Sequence, residues 1–216
     1  MSTAWESYLA DVLPDVPGCP EAAAIIAIRN TVIDFCTKTR LWRETLAAVN
    51  VVATQSSYVM APATPNTSIV TVLYGLLSDT PLNGPLSDDD LDVRGLQWQD
   101  QTADTPDSFT LPNPDTVRLI GIPTVNIASA LVARVALKPT QTANDAADFL
   151  FNDWHEGISH GAKSRLMAVP DKEWSNPAAA LYHVGRYKSA LTNGRAKALK
   201  GNSDMTLMAL PVRLGR

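Results

Sequence analysis

Apolar residues recur every three or four positions through the first 48 residues, the spacing of one face of an α-helix. A short helix is predicted over residues 5–13. Pro20 is well placed at the first position of a second helix, predicted to run to about residue 47. Trp42 would then lie in a helical core beside Phe35, Cys36 and Leu46. The apolar positions of this second helix are Ile25, Ile26, Ile28, Val32, Ile33, Phe35, Cys36, Thr39, Trp42 and Leu46.

After residue 48 the chain consists of short runs rich in β-branched and aromatic residues. Turn-forming segments such as Asn83-Gly84-Pro85 and Pro106-Asp107 separate these runs. Residues 49–138 are therefore predicted to form a small antiparallel β module, although alternation over residues 128–137 is imperfect. The predicted strands cover residues 56–60, 68–74, 96–98, 108–111, 116–120 and 126–137.

Helical periodicity returns after the β module. One helix is predicted to start from a cap at Asn144 or Asp145 and to stop at Pro170. The segment Ser175-Asn176-Pro177 predicts the start of a last helix, which Gly201 would close. The part of this last helix over residues 186–200 carries five basic residues: Arg186, Lys188, Arg195, Lys197 and Lys200.

Gly157 and Gly161 lie four residues apart inside the helix predicted to end at Pro170. Each costs about 1 kcal/mol relative to alanine in a helix. Small residues on one helical face allow another backbone to approach closely, either inside the domain or across a subunit contact. Both alternatives are packing roles.

Within the final residues, 203–216, the apolar side chains of residues 205–216 almost alternate with other residues. This pattern favours an extended strand laid against an exposed edge of a partner, where main-chain hydrogen bonds supply the affinity. A free apolar terminus frays unless something holds it. The segment is therefore predicted to grip a partner protein or a neighbouring subunit. Its candidate contact residues are Met205, Leu207, Met208, Leu210, Val212, Arg213, Leu214 and Arg216.

Together these patterns predict an α+β fold that is mainly helical. Residues 1–48 and 139–202 would form a helical bundle core, residues 49–138 an inserted antiparallel β module with an acidic loop, and residues 203–216 an extended C-terminal tail. A chain of 216 residues that is 45% hydrophobic and 19% charged has enough apolar material for one sizeable domain. The same composition excludes wholesale disorder.

No membrane or export signal is expected. The longest apolar stretch, near residues 22–28, is far shorter than the roughly 18–20 residues of a bilayer span. The N-terminus has an early acid, Glu6, and no basic region before an apolar run, so no signal peptide is expected. Cys19 and Cys36 cannot build a disulfide framework and suit a reducing cytosol, where both would be buried apolar residues. We therefore expect a soluble protein assembled inside a cell.

The net charge of −4 conceals an asymmetry. Residues 1–160 hold 8 Lys and Arg against 19 Asp and Glu, whereas residues 161–216 hold 10 against 3. Within the acidic part, residues 79–115 carry nine acids and the single base Arg94. This division indicates two surfaces with different partners, or a neighbouring copy whose basic part meets the acidic part. The plainer alternative is a solvated acidic loop beside a basic terminal helix.

Catalytic and cofactor motifs are missing from the sequence. His155 and His160 are five residues apart, about 140° around a helix, whereas a zinc-protease helix places its histidines four apart on one face. No glycine-rich phosphate loop and no Gly-x-Ser-x-Gly elbow occurs. Asp88, Asp90 and Asp92 lack the glycine and closing glutamate of a calcium loop. We predict no enzymatic activity, metal or cofactor.

Two alternatives remain open beside a structural role. The five basic residues of 186–200 could bind nucleic acid through phosphate contacts, although few aromatic residues beyond Tyr182 and Tyr187 could stack on bases. The same charges could instead serve a protein partner, including the acidic insertion of a neighbouring copy. A small hydrolase with its site in the β module is the third hypothesis.

The ordered residues resemble a known family. The runs Pro17-Gly-Cys-Pro20, Ala27-Ile-Arg29 and Asp34-Phe-Cys-Thr37, followed by Thr39 and Trp42, resemble the N-terminal signature of tailed-phage head-to-tail adaptor proteins, also called connector or neck proteins. The helix with Phe149, Trp154, Ile158 and Gly161-Ala162, and the Asn176-Pro177 start of a basic last helix, are similar to later parts of that family. The resemblance spans nearly the whole chain in order and length.

The resemblance implies a structural virion protein of the phage neck, assembled in the host cytoplasm. About twelve copies would form a ring under the portal protein, extend the DNA channel and present a surface to tail or nozzle proteins. It also implies that the C-terminal segment leaves its own domain to grip the portal or an adjacent subunit. An acidic wall around the channel would let genomic DNA pass without specific recognition, since phosphates and carboxylates repel.

Overall fold

A computed structural model describes residues 2–95 and 97–201 of the chain. The helices in that part are α1 Leu9–Val12, α2 Glu21–Thr39, α3 Asp88–Arg94, α4 Asp148–Met167 and α5 Pro177–Lys200, with 3-10 turns Trp5–Tyr8 and Leu13–Asp15 flanking α1. The strands are β1 Ser2–Ala4, β2 Arg43–Thr45, β3 Val49–Val51, β4 Ser57–Val59, β5 Thr67–Leu77, β6 Thr80–Pro81, β7 Asn83–Leu86, β8 Thr102–Ala103, β9 Ser108–Asn113, β10 Thr116–Ile120, β11 Ile122–Pro123, β12 Ile127–Pro139 and β13 Asp145–Ala147.

Helix α2 is shorter than its apolar pattern predicts. It ends at Thr39 because Arg40 adopts a left-handed conformation, with φ of 52°, and donates its backbone N–H to the carbonyl of Cys36 at 2.9 Å. The predicted continuation to about residue 47 is wrong, since strand β2 follows instead. Trp42 is buried nonetheless. Its ring packs edge-on against Phe149 of α4, with ring centroids 6.3 Å apart.

Helices α2, α4 and α5 pack on one another, and glycines mark where they come closest. A Cβ added at Gly157 of α4 would lie 2.5 Å from the Cβ of Ala190 on α5. One added at Gly161 would collide with Thr31 of α2 and with the ring of Tyr187 of α5. Of the two packing roles predicted for these glycines, the structure therefore shows the one inside the domain.

The start of α5 is confirmed and the start of α4 is corrected. The Asn176 side chain accepts a hydrogen bond from the backbone N–H of Ala179 at 3.0 Å, and Pro177 occupies the first helical turn. The predicted cap of α4 at Asn144 or Asp145 is wrong. Asp145 belongs to β13, and α4 begins three residues later.

The strands form two larger sheets and two small pairs. One sheet has the order β2-β12-β5-β6, with β3 also paired to β12, and the other has the order β4-β10-β9-β7. Most pairings are antiparallel, as predicted, but β7 pairs with β9 in parallel and β8 pairs with β11 in parallel. Strand β1 pairs with β13, so the N-terminal residues are joined to the segment that directly precedes α4.

The burial of strand β12 explains why its apolar and polar residues alternate imperfectly. Val135, Ala136 and Leu137 are consecutive and all fully buried, so the strand is covered on both faces at this point. Register shifts occur between Arg134 and Val135 and between Ala136 and Leu137 in the pairing with β5. A strand buried on both faces does not produce a regular apolar–polar pattern.

The predicted mainly helical fold with a helical bundle core is wrong. Helix accounts for about 40% of the chain and strand for about 30%, in several sheets that include a curled half-barrel. A single connected core joins Ile28, Phe35 and Ile158 of the helices to Leu131 and Leu137 of β12. Helical periodicity does not reveal this arrangement, because an amphipathic face packs equally well on a helix or on a sheet.

The acidic stretch 79–115 is not a plain loop. It contains β6, β7, α3, β8 and β9, and α3 begins with three consecutive aspartates, Asp88 to Asp90. The strand predicted over residues 96–98 is not formed at Trp98, which lies buried in a turn. The Trp98 indole N–H donates to Asp92 at 2.8 Å, and the Arg118 guanidinium lies 4.9 Å from its ring centroid.

Candidate interaction surfaces

The five basic residues predicted on the last helix do not form one stripe. At 3.6 residues per turn, Arg186, Lys197 and Lys200 fall within about 60° of one another, whereas Lys188 and Arg195 lie on the other flank, about 180° away. All five side chains are exposed, and the buried face of α5 runs between the two flanks. A nucleic-acid backbone laid along α5 could therefore meet only one flank at a time.

Arg186 and Arg195 are both engaged within the fold. Arg186 donates to the Glu156 carboxylate on α4 at 3.0 Å. Arg195 donates through Nε to the carbonyl of Lys38, one residue before the end of α2, at 3.1 Å. Both contacts fasten α5 to its neighbouring helices, so these side chains have structural roles that the sequence does not show.

The outward face of α5 carries no charge along its centre. Leu181 and Leu199 are 74% and 71% exposed and lie at similar angles around the helix, at its two ends. Gly185, Ser189 and Thr192 lie between them and are exposed. Large apolar side chains at such exposure, along an uncharged helical face, are typical of a surface that contacts another protein. We call Leu181, Gly185, Ser189, Thr192, Ala196 and Leu199 the α5 outer face.

A polar cluster joins α4 and α5 on the side of α5 that carries Arg186. The Nδ1 atoms of His160 and His183 are 2.8 Å apart, so one ring donates a hydrogen bond to the other. The His160 Nε2 lies 3.6 Å from Glu156, and Lys163 pairs with Asp15 at 2.6 Å. Burial, reinforced by nearby Lys163, lowers the pKa of both histidines below the ordinary value.

Asp34 ties together the three long helices. Its Oδ2 accepts hydrogen bonds from the Tyr187 hydroxyl on α5 and from Lys38 on α2, each at 2.9 Å, and lies 3.7 Å from Arg165 on α4. Burial, together with the Asp34 charge, raises the pKa of Tyr187. Asp34 belongs to the run Asp34-Phe-Cys-Thr37 that carries part of the family resemblance. In this fold its carboxylate links α2, α4 and α5.

A groove of about 490 Å³ lies where β2, β12, α4 and the end of α5 meet. Its apolar walls include Trp42, Phe149 and Trp154, and its charged residues are Arg43, Arg134, Lys197 and Asp153. We call this the Arg43 groove. Sequence reasoning missed it, because Arg43 and Arg134 are 91 positions apart and only the pairing of β2 with β12 brings them together. Lys197 is the one predicted basic residue that lines it.

The predicted tail contacts lie outside the described residues. Met205, Leu207, Met208, Leu210, Val212, Arg213, Leu214 and Arg216 therefore remain predictions from the sequence. Gly201, the last of the described residues, lines the Arg43 groove.

Within residues 2–95 and 97–201, no three His, Cys, Asp or Glu side chains converge as metal ligands. His155 is exposed and contacts the carbonyl of Phe151, away from the His160–His183 pair. Cys36 is buried, and burial raises the pKa of its thiol, which disfavours the reactive thiolate. In the same part of the chain, none of the helices combines the length and hydrophobicity of a bilayer span.

Comparisons with known proteins add no assignment. The chain matches no protein-family model. It also matches no protein among those with curated descriptions.

Proposed function

We propose that this chain is a structural assembly protein, a head-to-tail adaptor of a tailed bacteriophage that forms a ring under the portal. The observation that carries the proposal is the α5 outer face, where Leu181 and Leu199 are exposed beside small uncharged residues. An exposed apolar helical face is best stabilised by contact with another protein surface.

The rest of the helical layer supports a scaffold role. Asp34, Tyr187 and Arg165 link α2, α4 and α5, and Gly157 and Gly161 allow the helices to approach closely. A rigid layer of this kind can hold an outer face in a fixed orientation, as a ring of repeated contacts requires. The more specific parts of the proposal rest on the resemblance of the sequence to head-to-tail adaptors. These parts are the ring of about twelve copies, the portal partner, the tail-side partner and the place in the virion neck.

The nucleic-acid alternative has less support from the geometry. The basic residues of α5 lie on two opposite flanks, and Arg186 is already paired with Glu156. Phosphate binding depends on several cations reaching the same backbone. The uncharged centre of α5 offers no cation to a phosphate backbone.

The test is co-assembly with the portal protein of the same phage, observed by negative-stain imaging and mass photometry. We expect closed rings bound to the portal. The double variant Leu181→Glu/Leu199→Glu should reduce ring formation at least about tenfold, since two charges would have to be buried in the contact. Val59→Glu is the control, because Val59 is also 71% exposed but lies on strand β4.

The failure of wild-type protein to form any stable complex with the portal would refute the proposal. Binding of short duplex DNA that weakens steeply with salt and is lost in Lys188→Glu/Arg195→Glu would favour the nucleic-acid alternative instead.

A further inference from the structure

The Arg43 groove holds an excess of positive charge without acidic partners of its own. Arg43 on β2 pairs in register with Ala136 of β12, which places it diagonally across from Arg134 on the next strand. Neither guanidinium, nor the Lys197 ammonium, lies within ion-pair distance of a carboxylate in the described part of the chain. Asp153 lines the groove but pairs with none of them.

The two arginines disfavour each other electrostatically. Partial burial, reinforced by the neighbouring charge of Arg134, lowers the pKa of Arg43. An anionic group placed between Arg43, Arg134 and Lys197 would remove this repulsion and accept hydrogen bonds from both guanidinium groups. The walls of Trp42, Phe149 and Trp154 add apolar contact area. The groove therefore suits an occupant that is both acidic and apolar.

Helix α3 presents this chemistry on the surface of the same chain. Asp89 and Asp90 are exposed and have no hydrogen-bond or ion-pair partner in the described structure, whereas Asp88 and Asp92 are held by Thr110 and Trp98. Val93, on the same short helix, is 88% exposed, the highest value among the large hydrophobic residues described. No residue of α3 lines the Arg43 groove of its own chain.

We propose that α3 of one copy docks into the Arg43 groove of the next copy, with Asp89 and Asp90 facing the cationic side chains. The inference rests on the proposed function insofar as a ring needs a repeated contact between unlike surfaces. Such a head-to-tail contact closes into a ring when its rotation permits. The chain's own residues 202–216 suit the groove less, because they contain two arginines and one aspartate and so share its sign.

The test exchanges charges between the two surfaces in the full-length protein. The groove-reversed variant is Arg134→Glu/Lys197→Glu, both exposed positions, and the helix-reversed variant is Asp89→Lys/Asp90→Lys. Each variant alone presents like charges to its own copies and should remain monomeric by sedimentation velocity at low salt. An equimolar mixture should associate, because every contact in it again joins unlike charges.

The matched control is Glu6→Lys/Glu21→Lys, which changes the net charge as much as the helix-reversed variant but at exposed sites outside both surfaces. It should associate as the wild type does. Association of the wild type and of the mixture should also weaken at least about tenfold in 1 M salt, where the Debye length falls to about 3 Å.

A mixture that stays monomeric overturns the proposal, as does association of either variant alone at wild-type strength. These outcomes are distinct from a failure of the proposed function. If the wild type still forms rings on the portal while the mixture does not associate, only the docking of α3 is refuted. If the charge exchange works but no portal complex forms, the contact between copies stands and the adaptor role falls.

Discussion

The His160 and His183 rings share one proton between Nδ1 atoms that are 2.8 Å apart. Such a pair can exist only while at least one ring is neutral, because two imidazolium rings have no lone pair at these atoms. Lys163, Asp15, Glu156 and Arg186 surround the pair, and His183 is buried. The junction of α4 and α5 therefore depends on pH.

The first prediction concerns acid stability. Because both histidine pKa values are lowered in the folded protein, the unfolded chain binds more protons in this range. The stabilisation is present above the unfolded pKa of about 6.5 and is lost as the pH falls through the folded pKa. We expect the free energy of unfolding, measured by urea titration, to fall between about pH 7.5 and 5. His160→Gln/His183→Gln should flatten that slope, and an unchanged slope in the variant would contradict the assignment.

The second prediction concerns Trp42, which lies beyond α2 but is buried against Phe149. Trp42→Ala should reduce the free energy of unfolding by about 3–5 kcal/mol, through lost burial and a residual cavity. Val59→Ala, on the exposed side of β4, should cost less than about 1 kcal/mol and serves as the control. A loss below about 1 kcal/mol for Trp42→Ala would mean that this side chain is not part of the core.

The third prediction compares two helical glycines, Gly161, which is closely packed, and Gly185, which faces open space. Gly161→Ala would place a methyl group against Thr31 and 2.8 Å from the Tyr187 ring, so we expect a net loss of about 1–3 kcal/mol from overpacking. Gly185→Ala meets nothing within 4 Å and should stabilise α5 by up to about 1 kcal/mol, since alanine has the better helix propensity. Thermal or urea unfolding of the two variants measures both. Equal effects would contradict the close packing at Gly161.

The fourth prediction concerns the terminal segment. Deletion of residues 205–216 should leave the melting temperature of the monomer nearly unchanged, because the described residues already form a connected core. It should abolish attachment to the portal, measured by co-sedimentation. If the truncated protein unfolds, the segment belongs to its own core. If the truncated protein binds the portal with full affinity, the portal contact lies elsewhere, and the basic residues of 186–200 are the next candidate.

Local signals in the sequence predicted some of this structure well. Asn176 and Pro177 start α5 as expected, because capping depends on the chemistry of adjacent residues. The end of α2 was missed because nothing local distinguishes Arg40 from a residue that continues the helix; its left-handed conformation follows from the path of β2 toward β12. The helical bundle was predicted for the same reason, since an apolar stripe does not reveal what covers it.

The candidate surfaces, like the fold, could be predicted from the sequence only where they depend on residues close together in the chain. The basic character of α5 could be read from the sequence, and helical geometry divides its charges into two flanks. The Arg43 groove could not be predicted from the sequence, because it depends on the register of Arg43 and Arg134 in a sheet between distant strands. The ion pair of Arg186 with Glu156 likewise requires the packing of α4 on α5.

The pairing of β1 with β13 has a consequence for synthesis of the chain. Trp5 donates its indole N–H to the carbonyl of Ala143, so the first turn gains this partner only after 138 further residues have been synthesised. The Arg43 groove and the α5 outer face both need residues near 200 and therefore form later still. A nascent copy emerging beside others on the same messenger RNA completes neither the Arg43 groove nor the α5 outer face until residues near 200 have been added. The order of synthesis thus separates folding from association in time.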